Sequence, residues 1–248
     1  MRDVKVIDSH MHLGECTIFG LNITEEELLN YINKYNISAV VVQPFPGAPD
    51  VVKVHNAIYE LSLKTNRRVL GMASVNPHLD KEFVSSELNR ALKSLNFIAV
   101  KLHTAGHAIS PVNPKAAILF EHASKHKVPI MIHTGPGPFS DPMAIIPRAE
   151  EFSDVKIVLA HAGFGLYSSA ALWIAKKYDN VYLETSWTYS YDLAAFIKEV
   201  PNKVLFGTDL IENVPVEFAK LDGLRLADDV KEYMLYKNPK YVFNIQHL

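Results

Sequence analysis

Eight short apolar runs recur along this chain at intervals of about 25 to 30 residues, and they constrain its fold more than any other feature. They are VKVID (4–8), ISAVVVQ (37–43), RVLGMAS (68–74), FIAVKLH (97–103), VPIMIH (128–133), KIVLAH (156–161), VYLET (181–185) and KVLFGT (203–208). β-Branched residues dominate them. Runs so continuous leave no face for water, so they predict parallel strands buried on both sides. Helical patterns lie between them. Thr24 with Glu27 makes a capping box ahead of LLNYI, Pro49-Asp50 opens a face of Val51, Val54, Ile58 and Leu61, and Asp80 precedes Phe83, Leu88, Leu92 and Leu95. Further helices are expected over 114–126, 142–152, 167–178, 190–199 and 228–237.

Strand then helix, eight times in 248 residues with no linker, is the arithmetic of a single (β/α)8 TIM barrel domain over 1–248. A doubly wound open sheet is the rival. It usually carries a glycine-rich phosphate loop after its first strand, and DSHMHLG has no such pattern. Connections before strands are short (KHKVP, FSDVK, VPNK), whereas those after strands are longer and rich in Gly, Pro and His (TAGHAISPVNP, TGPGPFSDPMAIIP). That asymmetry places functional loops at the carboxyl ends of the strands.

Charge narrows the partners. With 25 Lys plus Arg against 27 Asp plus Glu there is no global basic field for a phosphate backbone, so no nucleic acid is expected and a small-molecule substrate is. The single cysteine, Cys16, excludes an intramolecular disulfide framework, and the N-terminus has no signal-peptide pattern, so a cytoplasmic address is expected. Residues 157–175 carry no Asp, Glu, Lys or Arg, but His161, Gly163, Gly165, Ser168 and Ser169 break them into strand, turn and helix, so no membrane partner is expected. A homo-oligomer is left open.

Polar, metal-competent side chains stand at the ends of nearly all the strands: His10 and His12, Lys101 and His103, His133, His161, Glu184 and Asp209. Residues two apart on a strand point the same way, so His10 and His12 can bind one ion from the same side, and Lys101 and His103 can face a common space. Imidazole and carboxylate suit zinc and neighbouring divalent metals. A barrel gathers all eight strand ends into one ring, which packing alone does not explain.

The pieces VIDSHMHLG, VKLH, VPIMIHTG, IVLAHAG, NVYLETS and VLFGTD, in that order over residues 6–209, resemble the amidohydrolase superfamily. The likeness is closer to its amidohydrolase-related (amidohydrolase 2) branch, which includes aminocarboxymuconate-semialdehyde decarboxylase. The closing MLYKNPKYVFNI is a looser match, with Pro239 where the family usually has Ala. A proline usually follows the last Asp closely there, whereas here Leu210, Ile211, Glu212 and Asn213 intervene before Val214 and Pro215. The resemblance implies that His10, His12, His133 and Asp209 bind one divalent ion, with zinc expected. It also implies that His161 holds or polarises the reacting water or substrate and that Asp209 shuttles a proton. Lys101 falls where binuclear relatives carry a carboxylated lysine; here it is read as an unmodified cation for a substrate carboxylate or a supporting contact, its bland alternative being an ion pair with Glu184 or Asp209. Lys101, His103 and Glu184 are the candidates for substrate or second-metal contacts.

His107 could touch substrate or be solvated, while His55, His78, His122, His126 and His247 read as surface residues. Cys16 reads as a buried small side chain, and Trp187, Tyr189 and Tyr191 as a wall of the pocket or as ordinary aromatic packing over the barrel rim. The leading functional reading is a metal-dependent hydrolase of a small ester, lactone or amide. Non-oxidative decarboxylation of a small carboxylic acid is the alternative, with a DNase-like barrel or a non-catalytic metal-binding protein behind it.

Overall fold

The apolar runs pair edge to edge in the order in which they occur in the computed structural model, which describes residues 4–248. The strands are β1 (Ile7–Cys16), β2 (Leu21–Ile23), β3 (Ala39–Pro44), β4 (Val69–Ser74), β5 (Ala99–Leu102), β6 (Ile130–His133), β7 (Ile157–Ala160), β8 (Val181–Glu184) and β9 (Val204–Leu205). They form one sheet in the order β2-β1-β3-β4-β5-β6-β7-β8-β9, with only β1 and β2 antiparallel. The sheet curls until residues 206–209 lie beside β1: Ser9 N donates to Phe206 O at 2.9 Å, and Asp209 N donates to His10 O at 2.7 Å. Eight parallel strands with intervening helices are an α/β arrangement of the TIM-barrel type.

Why the runs are apolar throughout is plain from the two faces. Val40, Val42, Ile157 and Leu159 pack into the cluster shared with the helices. Their neighbours Ala39, Val41, Val158 and Ala160 pack into a second cluster inside the curl, where Val242, Phe243 and Ile245 from the chain's end join them. Both faces of each strand are therefore dry, and each fully buried aliphatic or aromatic side chain contributes about 1.5 to 3 kcal/mol.

Helices α1 (Glu25–Lys34), α2 (Val51–Lys64) and α3 (Lys81–Asn89) begin where their caps predict. Thr24 and Glu27 form a reciprocal capping box, and Asp50 and Asp80 accept from Lys53 N and Phe83 N. Next come α4 (Ala117–His126), α5 (Ile146–Glu151), α6 (Ser168–Lys177) and α7 (Ser190–Glu199), each within its expected span. No helix of the described residues is long and apolar enough to cross a membrane. Four expectations need correction. The first strand occupies Ile7–Cys16 rather than 4–8, and it turns back into β2, which was not foreseen. The last strand shrinks to Val204–Leu205. Helix α8 (Val214–Leu224) was missed, because Asn213, Pro215 and Gly223 read as loop although proline suits a first helical turn. The expected 228–237 helix is α9 (Asp228–Glu232) with a π-turn, and it runs on into α10 (Asn238–Val242).

Two histidines expected at the surface are buried. His55 lies three residues before Ile58 on the inner face of α2. Its Nδ1 meets Glu87 Oε1 at 2.5 Å, and its Nε2 accepts from Ser74 N at 3.2 Å. His122 sits on the inner face of α4, beside Ser85 at 3.1 Å. His78 and His247 are exposed and His126 is half-buried. Burial pushes the Glu87 carboxyl up, but hydrogen bonds from His55 and Arg90 outweigh it and hold the group down at about 2. A depressed folded pKa gives stability above the ordinary 4.5 that is lost as pH falls towards 2. Glu87→Ala should therefore destabilise the protein by about 1 to 3 kcal/mol at neutral pH, because it strands the His55 imidazole. Melting at pH 7 and at low pH is the check, and the gap from wild type should close in acid. Equal melting at pH 7 would refute it.

Candidate metal centre and cavity

On β3, β5, β6 and β8 a polar side chain stands on the inward face two residues beyond the last inward apolar one. Ala99 is followed inward by Lys101, Met131 by His133, Tyr182 by Glu184 and Val41 by Gln43. The inner column thus turns from apolar to polar at the carboxyl ends, where the loops leave room. On β1 the register shifts between Asp8 and Met11, and His10 and His12 both turn towards the end of the last strand.

Asp209 is the meeting point. Its Oδ1 lies 3.3 Å from His10 Nε2 and 3.2 Å from His12 Nε2, and the three donors fall within 4.8 Å of one another. His10 Nδ1 is 2.9 Å from Glu184 Oε2. The carboxylate can only accept, so Nδ1 carries the proton and Nε2 presents its lone pair. Burial holds the His10 imidazole well below its ordinary pKa, helped by Lys101, and burial lowers His12 as well; both shifts favour the neutral imidazole, the form that ligates metal. Burial opposes ionisation of Asp209, but His10, His161 and the hydrogen bond with His12 outweigh it and keep the carboxyl well below its usual range. Two neutral imidazoles and one carboxylate, with a second carboxylate behind His10, fit a divalent ion.

The remaining candidates take different places. His133 lies outside that trio; it stacks on His103 with ring centres 4.3 Å apart and stands edge-on to His161 at 4.9 Å. Its Nδ1 is buried without a partner. His103 Nδ1 accepts from Gly106 N at 3.0 Å. Glu184 is fully buried and its oxygens are spent on His10 Nδ1, His161 N, Ser186 N and Ser186 Oγ. Ser186 Oγ gives its proton to Glu184, so it accepts from His161 Nδ1 at 2.9 Å, leaving His161 Nε2 as an acceptor. Burial pushes His161 down to about 4. Lys101 Nζ is 3.0 Å from His10 Nε2, and among the described residues it pairs with neither carboxylate. Burial lowers Lys101 to about 8, against the upward pull of Asp209 and Glu184.

The backbone is strained where the site is built. His161, Trp187 and Asp209 have φ of 65°, 62° and 66°, left-handed values that residues with a Cβ adopt reluctantly and that cluster at functional sites.

A family model described as Amidohydrolase matches residues 38–245. The chain belongs to the amidohydrolase family. The branch is that of amidohydrolase 2, and the matched stretch begins after the His10–His12 strand. Comparison with curated protein sequences gave no match. Among solved structures, 2,6-dihydroxybenzoate decarboxylase from Rhizobium is similar at a TM-score of 0.75 and 15% identity, over 98% of this chain and 99% of that one. The 5-carboxyvanillate decarboxylase of Sphingomonas paucimobilis gives 0.75 and 13%, over 98% and 100%. A dihydroxybenzoic acid decarboxylase from Polaromonas sp. JS666, with bound manganese and the inhibitor 2-nitroresorcinol, gives 0.73 and 15%, over 99% and 98%. At such identity these likenesses establish the fold.

Above the trio this amidohydrolase has a cavity of about 370 Å3, within the range of small-molecule sites. His12, His103, His133, His161 and Asp209 reach into it between Phe19, Phe45, Phe164 and Trp187. Trp187 forms wall as expected. Tyr189 and Tyr191 do not line the cavity: they stack on each other at 5.6 Å and are exposed, the rim packing that was the other expectation. His107 is buried rather than solvated, and Cys16 is a buried thiol that donates to Pro46 O at 3.0 Å.

Four site residues escaped the sequence reading. Gln43 is fully buried, with its amide 3.1 Å from His12 Nε2. Its signal was present, a polar residue ending an apolar strand, but attention to metal donors passed over it. Asp8 accepts from His10 N, Thr208 N, Thr208 Oγ1 and Tyr31 OH, tying β1 to the last strand's end. Ser186 supports His161. Gly207 is needed for close approach, since a Cβ there would meet Glu184 Oε1 at 2.3 Å and His10 Cβ at 3.0 Å. Gly207→Ala should cost about 1 to 3 kcal/mol of stability, as overpacking does. It should also weaken ion binding by displacing His10. Melting and a metal titration test this together, and a variant matching wild type in both would sink it.

Proposed function

We propose that this amidohydrolase is a metal-dependent, non-oxidative decarboxylase of a small aromatic carboxylic acid. The observation that carries the reading is the aromatic-walled cavity opening onto His12, His133, His161 and Asp209. Such walls suit a planar ring, and the carboxylate then falls towards the donors. The similar structures named above include decarboxylases of hydroxylated benzoic acids, which supports the same chemistry. The sequence reading put hydrolysis ahead; the cavity and these neighbours favour its alternative.

In the proposed site His10, His12, His133 and Asp209 would hold one divalent ion. Bound there, the ion would anchor the substrate's carboxylate or an adjacent oxygen and stabilise the negative charge that develops beside it. Zinc was expected from the donors, but they suit manganese equally, and manganese is present in the Polaromonas structure. Glu184 keeps His10 in its Nδ1–H tautomer. His161 offers Nε2 to a substrate hydroxyl, and Lys101 offers a buried cation to the carboxylate. When the ring carbon–carboxyl bond breaks, its electron pair stays on carbon, carbon dioxide leaves and one proton takes its place. Asp209 is the proposed carrier of that proton.

The test is a panel of hydroxylated benzoic acids, esters and lactones given to protein loaded with zinc or manganese. Carbon dioxide release with loss of the aromatic acid supports the reading. Hydrolytic turnover without carbon dioxide restores the hydrolase.

A further inference from the structure

The group that aims the Asp209 carboxylate is not itself a metal donor. Trp187 Nε1–H donates to Asp209 Oδ2 at 2.8 Å, on the side away from the oxygen that meets His10 and His12. A carboxylate turns freely about its last torsion unless something holds it. Here the indole holds one oxygen and leaves Oδ1 to the two imidazoles.

The indole is held in turn by α8. Trp187 N donates to Glu217 Oε1 at 2.8 Å, and Lys220 Nζ donates to Thr188 O at 2.8 Å and Thr185 O at 3.3 Å, on either side of Trp187. Glu217 Oε2 and Lys220 Nζ form a buried pair at 2.6 Å. Asn213 Nδ2 bridges Glu217 Oε1 at 2.9 Å and Thr208 O at 3.0 Å, so the bracket also grips the peptide before Asp209. A left-handed tryptophan costs about 1 to 3 kcal/mol and persists only where its surroundings over-determine it. Three hydrogen bonds between α8 and residues 185–188 supply that determination, and Asn213 steadies Glu217 from the turn before the helix. β8 and β9 pair through their own backbones, Leu183 with Val204 and Glu184 with Leu205.

We propose that Trp187 is a positioning residue for the metal centre, aiming Asp209 through its indole N–H, and that Glu217, Lys220 and Asn213 form the bracket that sets the indole. The inference rests on the reading of Asp209 as a ligand. It also makes Trp187 a built-in reporter of site occupancy. Trp173, the chain's other tryptophan, is exposed on α6.

The experiment uses Trp173→Phe, in which Trp187 is the sole indole, and Trp187→Phe, which keeps a ring to stack on Phe164, now 5.9 Å from Trp187 between centres, and loses the donor. Zinc is the probe because its filled d shell avoids paramagnetic quenching. Titrating zinc into Trp173→Phe should move Trp187 emission to a one-to-one endpoint. Chelator competition should show Trp187→Phe holding zinc about 10- to 100-fold more weakly than wild type, the loss typical of a removed outer hydrogen-bond partner. Zinc binding that leaves Trp187 emission unmoved, or an affinity for Trp187→Phe within about twofold of wild type, overturns the inference while leaving the ligand reading intact. If wild type takes up no zinc, the ligand reading fails first and this one falls with it. Should Trp187→Phe misfold, the emission titration decides alone.

Discussion

Alanine at His10 or at His12 is expected to cut divalent-ion affinity by more than about 100-fold, exceeding the loss caused by removing a supporting partner. The reason is geometric. Each Nε2 stands within 3.3 Å of Asp209 Oδ1, and the three donors lie within 4.8 Å of one another. His10→Ala carries a further penalty, because Glu184 loses a partner while remaining fully buried. Elemental analysis of protein dialysed against zinc or manganese should find about one ion per wild-type chain and far less in either variant. Unchanged metal content in both would rule out the pair as ligands. Two ions per chain with extra mass on Lys101 would instead point to the bridging arrangement that an unmodified lysine excludes.

Asp209→Asn is expected to lower the rate of carbon dioxide release by about 100- to 10,000-fold, the range that loss of a positioned proton carrier produces. Asparagine keeps the shape of the side chain but has one accepting oxygen where Asp209 uses two, for Trp187 on one side and the histidines on the other. The variant should therefore also bind its ion less well, so the assay must be run at saturating metal. A rate restored by added metal would assign Asp209 to ion binding alone. Asp209-dependent hydrolysis of an ester or lactone, without carbon dioxide, would defeat the decarboxylase reading.

The residues of the site differ in how far they could be read from the chain. His10 and His12 lie within β1, His133 ends β6, and His161 and Asp209 follow β7 and β9; the curl of the sheet brings His12, His133, His161 and Asp209 to one cavity, with His10 buried against Asp209. Gln43 carried the same signal and was passed over, since an amide is a poor metal donor and local pattern does not say which imidazole it will meet. Ser186 and Gly207 carried none. A serine after a glutamate and a glycine in FGTD become meaningful only once Glu184 and His10 stand beside them.

By itself the sequence determined the order of the eight parallel strands and of the helices up to α7, because strand runs dry on both faces and capped helices leave a period that survives without tertiary knowledge. It also determined which end of the strands carries chemistry, since loop length and polar strand ends are local properties. Only the tertiary structure decided the rest. Helix α8 was unreadable because proline and glycine near its ends argue locally for a loop, whereas its Glu217 and Lys220 are committed to a turn some 30 residues earlier. His55 looked like a surface residue until α3 brought Glu87 against it. The aim of Asp209 depends on Trp187, 22 residues away along the chain, and on a curl that returns Asp209 to β1. A hydrogen bond between distant residues has no period and no propensity, so the folded chain alone specifies it.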